Sequence, residues 1–154
     1  MYKTLEKADW TVLSELALEI AGIIIDDIKD GKDEGSEPSF EQVSLYSKMA
    51  EQLEFMEEKY GPHPLILDTK ADIIKDPEEK IQLKEKAKSL CLSDDFDLRG
   101  VLCTELAELY FEEKNDIVMA RKQIQEAKQD FEKTGNKKGL KELRQVEEEI
   151  EGAA

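Results

Sequence analysis

Few side chains in this sequence are suited to chemistry. His63 is the only histidine, and it stands between Pro62 and Pro64, where two prolines impose a turn. A nucleophilic triad needs a base oriented by a third group and aimed at a hydroxyl or thiol, and the residues around His63 supply neither. A phosphoryl-accepting histidine belongs on an exposed helix face, which the flanking prolines oppose. Cys91 and Cys103 are the only thiols. Each lies among apolar residues at helical spacing, the setting of a buried thiol in a reducing compartment. In the acidic stretch that begins at Asp30, Asp30, Glu34, Gly35 and Glu41 occupy the first, fifth, sixth and twelfth places of a calcium-binding loop. Lys32 fills the third place, where an oxygen ligand is needed, and Pro38 fills the ninth, so residues 30–38 read as a solvated linker. No phosphate-cradling glycine loop, paired-cysteine zinc spacing or basic aromatic platform is present. The expectation is a protein with no catalytic residue, no metal and no cofactor.

The elements that carry these residues are helical. At 154 residues, with 40% hydrophobic and 38% charged side chains, the chain can bury a core within one domain while keeping a highly charged exterior. The formal net charge of −15 and pI near 4.5 disfavour nucleic acid and anionic membranes and favour a basic partner. The segment Met1–Lys7 lacks the layout of a secretory signal. The longest apolar run, Ile20 to Ile25, is interrupted by Gly22 and meets Asp26 and Asp27, far short of a membrane span. These features predict a cytoplasmic location.

Hydrophobic spacing predicts seven helices and no strand. The first spans about Asp9 to Lys29, with Asp9 as N-cap and a stripe of Leu13, Leu16, Ala17, Ile20, Ile24 and Ile28. Ser39 followed by Gln42 is a capping-box signature for a second helix, Phe40 to Tyr60, striped by Val43, Tyr46, Ala50, Leu53, Met56 and Tyr60. Trp10 and Phe40, near the two helix starts, are expected to staple the entry turns. Gly61 to Pro64 breaks the pattern, and a third helix runs from Pro64 to about Lys75. Asp76-Pro77-Glu78-Glu79 opens a fourth, ending near Leu92. A fifth covers about Asp97 to Glu113. A sixth, capped by Asp116, runs to about Lys133 and is stopped by Gly135. The last, Lys137 to Glu151, carries Leu140, Leu143, Val146 and Ile150, and its terminal glutamates, opposed by the helix dipole, predict a frayed end.

Within the fifth and sixth helices, Cys103-x2-Leu106-Ala107-x2-Tyr110 and Ala120-x3-Ile124-x2-Ala127 resemble the tetratricopeptide repeat. Small residues at Ala107 and Ala120 let two helices touch, while Leu106, Tyr110 and Ile124 fill the space between them. The turn Lys114-Asn115-Asp116 is one residue longer than that repeat uses. A weaker copy lies upstream, with Leu67-x3-Ala71-x2-Ile74 and Ala87. There the paired alanines stand 16 residues apart (71 to 87), against 20 in the later copy (107 to 127). Lys80, Lys84 and Lys88 occupy positions where the repeat wants apolar groups. Three lysines on one face cannot all be buried unpaired, so that face is expected either to lie open or to pack irregularly. The first two helices outline a third copy.

The resemblance implies an all-α fold of antiparallel hairpins (about 9–60, 64–92 and 97–133) stacked as a tetratricopeptide-like superhelix, closed by a capping helix at 137–151. It also implies a concave groove lined by the first helix of each pair. Carried over, this places Leu65, Asp68, Asp72, Thr104, Glu108 and Phe111 at a partner-binding surface. The lysines, asparagines and arginine with which that family clamps acidic C-terminal peptides are missing at these positions, so a basic or amphipathic ligand is expected instead. The function expected is non-enzymatic binding of a protein or peptide. Its sharper form is an inhibitory or immunity-type protein that neutralises a basic partner such as a nuclease. The alternative is a self-associating module joined through Leu140 and Leu143.

Overall fold

The structure is a computed structural model that describes residues 1–31 and 37–153. Among the described residues it is all-α, with α1 Lys7–Lys29, α2 Phe40–Tyr60, α3 Pro64–Asp72, α4 Pro77–Leu90, α5 Phe96–Lys114, α6 Ile117–Thr134 and α7 Lys137–Ala153, and without a strand. None of these helices is long and apolar enough to cross a membrane. Internal contacts divide the chain into two compact units, Tyr2–Pro62 and a second that begins at His63.

The first unit is the α1–α2 hairpin. Ser39 caps α2 as its sequence signature predicts, its hydroxyl accepting the Gln42 N–H. The Gln42 side chain turns away from the cap and donates instead to Asp27 on α1 at 2.8 Å. At the other end of the hairpin, Asp9 is not the cap of α1. The helix begins at Lys7 behind Glu6, and the Asp9 carboxylate accepts from Lys59 at 2.7 Å and from the Tyr60 hydroxyl at 2.5 Å. The same hydroxyl accepts the Glu6 N–H, so the two ends of the hairpin are tied by different polar groups. Lys59 first, then Tyr60, holds the Asp9 carboxyl below its ordinary range.

Burial in this unit corrects several expectations. On α2 the buried set is Gln42, Leu45, Met49, Leu53, Met56 and Tyr60, whereas Val43 and Ala50 are exposed. The stripe is therefore rotated, because Gln42 and Met49 occupy places that composition assigned to valine and alanine. On α1 only Leu13 and Ile20 are fully buried, and Ala17, Ile24 and Ile28 are exposed. Phe40 is 91% exposed and staples nothing. Of the residues placed in a calcium-type loop, Glu34 and Gly35 lie outside the described residues.

In the second unit the punctuation follows local chemistry closely. Asp76 caps α4 through the Glu79 N–H, with Pro77 in the first turn. Asp116 caps α6 through the Met119 N–H, and Asn115 and Gly135 end α5 and α6 in the left-handed region. α3 is shorter than its sequence pattern suggests, closing at Ile73, and α7 stays helical through Ala153. α5 and α6 form the most extensive helix pair, and Ala107, Ala120 and Ala127 are fully buried. Ile124, Phe131, Leu143, Val146 and Ile150 complete that core, flanked by Tyr110, Phe111, Ile117 and Leu140. A smaller cluster of Leu67, Ala87 and Leu102 joins α3, α4 and α5. The Phe131 ring, 1% exposed, fits only because Gly100 on α5 and Gly139 on α7 lack a Cβ. An added Cβ would lie 2.6 Å and 2.7 Å, respectively, from its Cε1.

Candidate functional site

The polar side chains that sequence reasoning singled out converge on α4. Its lysines recur every four residues and therefore share one face. Two of them, Lys84 and Lys88, are engaged with acids on neighbouring helices. Lys84 is buried, its side chain 5% exposed, and it is saturated by carboxylates: Glu105 at 2.6 Å, Asp68 at 2.7 Å and Asp72 at 3.0 Å. Its three N–H donors thus reach two residues of α3 and one of α5. Lys88 pairs with Glu126 on α6 and donates to Gln123 at 3.0 Å. Arg99 on α5 grips Asp130 on α6 with two parallel bonds of 2.9 and 3.0 Å and also holds the Leu92 carbonyl.

The electrostatics follow from burial and partners. Burial works against the Lys84 charge, but Glu105 and Asp68 more than offset it, and the ammonium is held above its usual range. Burial together with the neighbouring Asp68 pushes the Glu105 carboxyl up to about 8. Lys84 therefore remains an ammonium with every donor engaged, a form that cannot act as a nucleophile or form an imine. Burial raises the thiol of Cys103 to about 12 and that of Cys91 to about 11, so both stay protonated and unreactive at neutral pH. His63 is buried at the start of α3, where its Nδ1 accepts the Leu65 N–H and caps the helix. No group of three or more histidine, cysteine or acidic side chains is arranged to hold a metal among the described residues.

The residues assigned to a partner groove fall into different settings. Asp68 and Asp72 meet at Lys84, although Asp72 keeps 59% of its side chain exposed. Thr104 donates back to the Gly100 carbonyl within its own helix. Glu108 is exposed, and partial burial with Glu112 and Glu149 nearby raises its carboxyl. Phe111 packs against the α5–α6–α7 core. Leu65 is half-buried in the first turn of α3, its carbonyl accepting from Thr69. Leu143 is buried and Leu140 packs on the same core, so charge introduced there would test folding rather than association. An open groove of about 270 Å3 lies between α6 and α7, lined by Ile124, Ile150, Lys128 and Glu147 among others, with the Arg121–Glu151 ion pair at its edge. Comparison with known proteins finds no matching family and no significant match among curated proteins or solved structures.

What sequence reasoning missed is the apolar exterior of the first unit. Leu18, Ile25 and Ile28 on α1 and Phe40, Val43 and Phe55 on α2 are exposed, Leu18 by 73%. At 100° per residue, Leu18, Ile25 and Ile28 share one side of α1 with Ala21, and Glu15, Glu19 and Asp26 follow its border. The signal was present in the sequence, since α1 carries more large apolar residues than a single buried stripe can use.

Proposed function

We propose that this chain is a non-enzymatic, cytoplasmic partner-binding protein that receives a basic or amphipathic segment of another protein on an acid-bordered helical surface. One observation carries this reading. Of the large apolar side chains exposed along the helices among the described residues, eight belong to α1 and α2, and only Val101 and Val118 belong to the second unit. Exposed apolar side chains that lie together and are rimmed by polar groups, as Leu18, Ile25 and Ile28 do on one side of α1, are the mark of an interaction face. Its acidic border and the net charge of −15 select a basic partner and speed its approach. An inhibitor that covers a basic enzyme is the sharper form of the same reading. The tetratricopeptide-like character rests on the α5–α6 hairpin, with its buried alanines, and α3–α4 is an irregular companion. Asp72 and Glu108, both exposed, supply a subsidiary acidic surface there.

The test is titration of a synthetic leucine–lysine amphipathic helix into the full chain, followed by Trp10 fluorescence and calorimetry at two salt concentrations. Saturable binding that weakens with salt and is lost in Leu18→Ser/Ile25→Ser supports the reading. Absence of binding, or binding indifferent to that double substitution, overturns it.

A further inference from the structure

The Lys84 cluster has a charge imbalance that neither its packing role nor the proposed docking surface uses. Three carboxylates converge on one ammonium within 3.0 Å, from two different helices beside its own. Asp72 keeps 59% of its side chain exposed and stays solvated, whereas Asp68 and Glu105 are 15% and 34% exposed and, if both were ionised, would leave a net charge of −1 around a lysine that is 5% exposed. The Asp68 and Glu105 carboxylates accept from the same Lys84 ammonium at 2.7 and 2.6 Å, which brings them close together, and Asp68 is among the neighbours that raise the Glu105 carboxyl. A like charge held that close favours the protonated form of one of the two carboxyls.

We infer that Asp68, Glu105 and Lys84 form a proton-controlled latch, which fastens α3 to α4 and α5 while the Asp68–Glu105 pair holds a proton and loosens when that proton leaves. The part released is the nine-residue α3, too short to persist without its packing. Its apolar fastenings are Pro64, Ile66, Leu67 and Ala71, all buried, and they hold α3 more loosely once the latch opens.

The groups that face Glu105 account for the sign. From α3 come Asp68 and, through the shared ammonium, Asp72; from α4 comes Lys84. On its own helix, Glu108 senses Lys84, Glu112 and Glu149 of α7, and Glu126 of α6 is engaged with Lys88. A carboxyl titrating near 8 in the folded chain and near 4.5 when unfolded binds its proton preferentially in the folded state. Its stabilising effect is complete below 4.5 and is lost as pH rises through 8, the reverse of an ordinary paired carboxylate.

The experiment uses the full chain. Carboxyl carbon NMR follows the Glu105 titration, and amide exchange of α3, corrected for its intrinsic pH dependence, is compared at pH 6 and pH 9. Exchange of α3 is expected to be at least roughly tenfold faster at the higher pH, because the latched form binds the proton at least that much more tightly than the open one. In Glu105→Gln, which retains an acceptor for Lys84, that ratio should fall close to one. Asp68→Asn should move the Glu105 titration back toward the ordinary range, a response that loss of packing alone does not produce. Glu132→Gln, at an exposed position on α6, serves as the control and should leave the α3 profile unchanged. A Glu105 titration near 4.5 in the unsubstituted chain, or an α3 profile that survives Glu105→Gln, overturns the inference.

Discussion

Replacing Gly100 with alanine should destabilise the second unit, although alanine is the better helix former. A Cβ at position 100 would lie 2.6, 2.8 and 2.9 Å from three atoms of the Phe131 ring, about 1 Å inside the roughly 3.5–4.0 Å optimum for carbon pairs. The ring cannot yield cheaply. It is 1% exposed, and Gly139 on α7 approaches the same three atoms from another helix. Overpacking a closed core costs about 1–3 kcal/mol, while glycine to alanine within a helix returns about 0.5–1 kcal/mol. The net expectation is a loss of about 1–2 kcal/mol, read as a lower urea midpoint by far-ultraviolet circular dichroism. Gly22→Ala is the matched control. That glycine is also inside a helix but has nothing within 4 Å of the new Cβ, so the substitution should stabilise the first unit by about 0.5–1 kcal/mol. Trp10, on the same helix and the only tryptophan, reports it. Combining Gly100→Ala with Phe131→Leu should cost less than the sum of the two single changes. A Gly100→Ala protein as stable as the unsubstituted chain would refute the close-packing argument.

Lys84→Met leaves Asp68 and Glu105 without their cation and should cost about 3 kcal/mol at neutral pH, the low end for a broken buried pair because the carboxyls can take up protons; thermal unfolding measures it. Asp116→Ala removes the oxygen that accepts the Met119 N–H and should cost about 1 kcal/mol, read in urea. Iodoacetamide at about pH 8 should label half-buried Cys91 before buried Cys103, with both slow until the chain unfolds; mass spectrometry of the peptides gives the order. The Asp9 carboxyl is held below its ordinary 3.8, so the stability it lends is lost as pH falls through that region. Asp9→Asn should therefore flatten the acid limb of unfolding followed by Trp10 fluorescence.

The helix count and most of the caps were legible because their causes are local. Ser39, Asp76, Asp116 and Gly135 act within a few residues of themselves, and the sequence displays each with its partner. The face a helix buries depends on what it meets, and this is where sequence reasoning went astray. Gln42 is buried on α2 because Asp27 faces it across the hairpin, 15 residues away. Lys84 looked like an obstacle to packing because its partners stand 12, 16 and 21 residues away on other helices. Asp68 too reads as a free surface acid until the lysine that neutralises it is placed. Asp9 likewise sits where a cap belongs but is drawn off by Lys59 and Tyr60, about fifty positions downstream.

The four-residue spacing of Lys80, Lys84 and Lys88 has a further consequence for how the chain finds its arrangement. If α4 slid by one turn against α3 and α5, another lysine would arrive where Lys84 sits, and the carboxylates would meet an ammonium all the same. Charge along this helix is therefore degenerate with respect to translation. The apolar positions break the degeneracy. A one-turn slip puts Leu83 or Cys91 in the fully closed site of Ala87, and Pro77 or Glu85 in the buried site of Ile81. The lysines govern how firmly the helices hold, whereas one alanine and one isoleucine carry the information about where they stop.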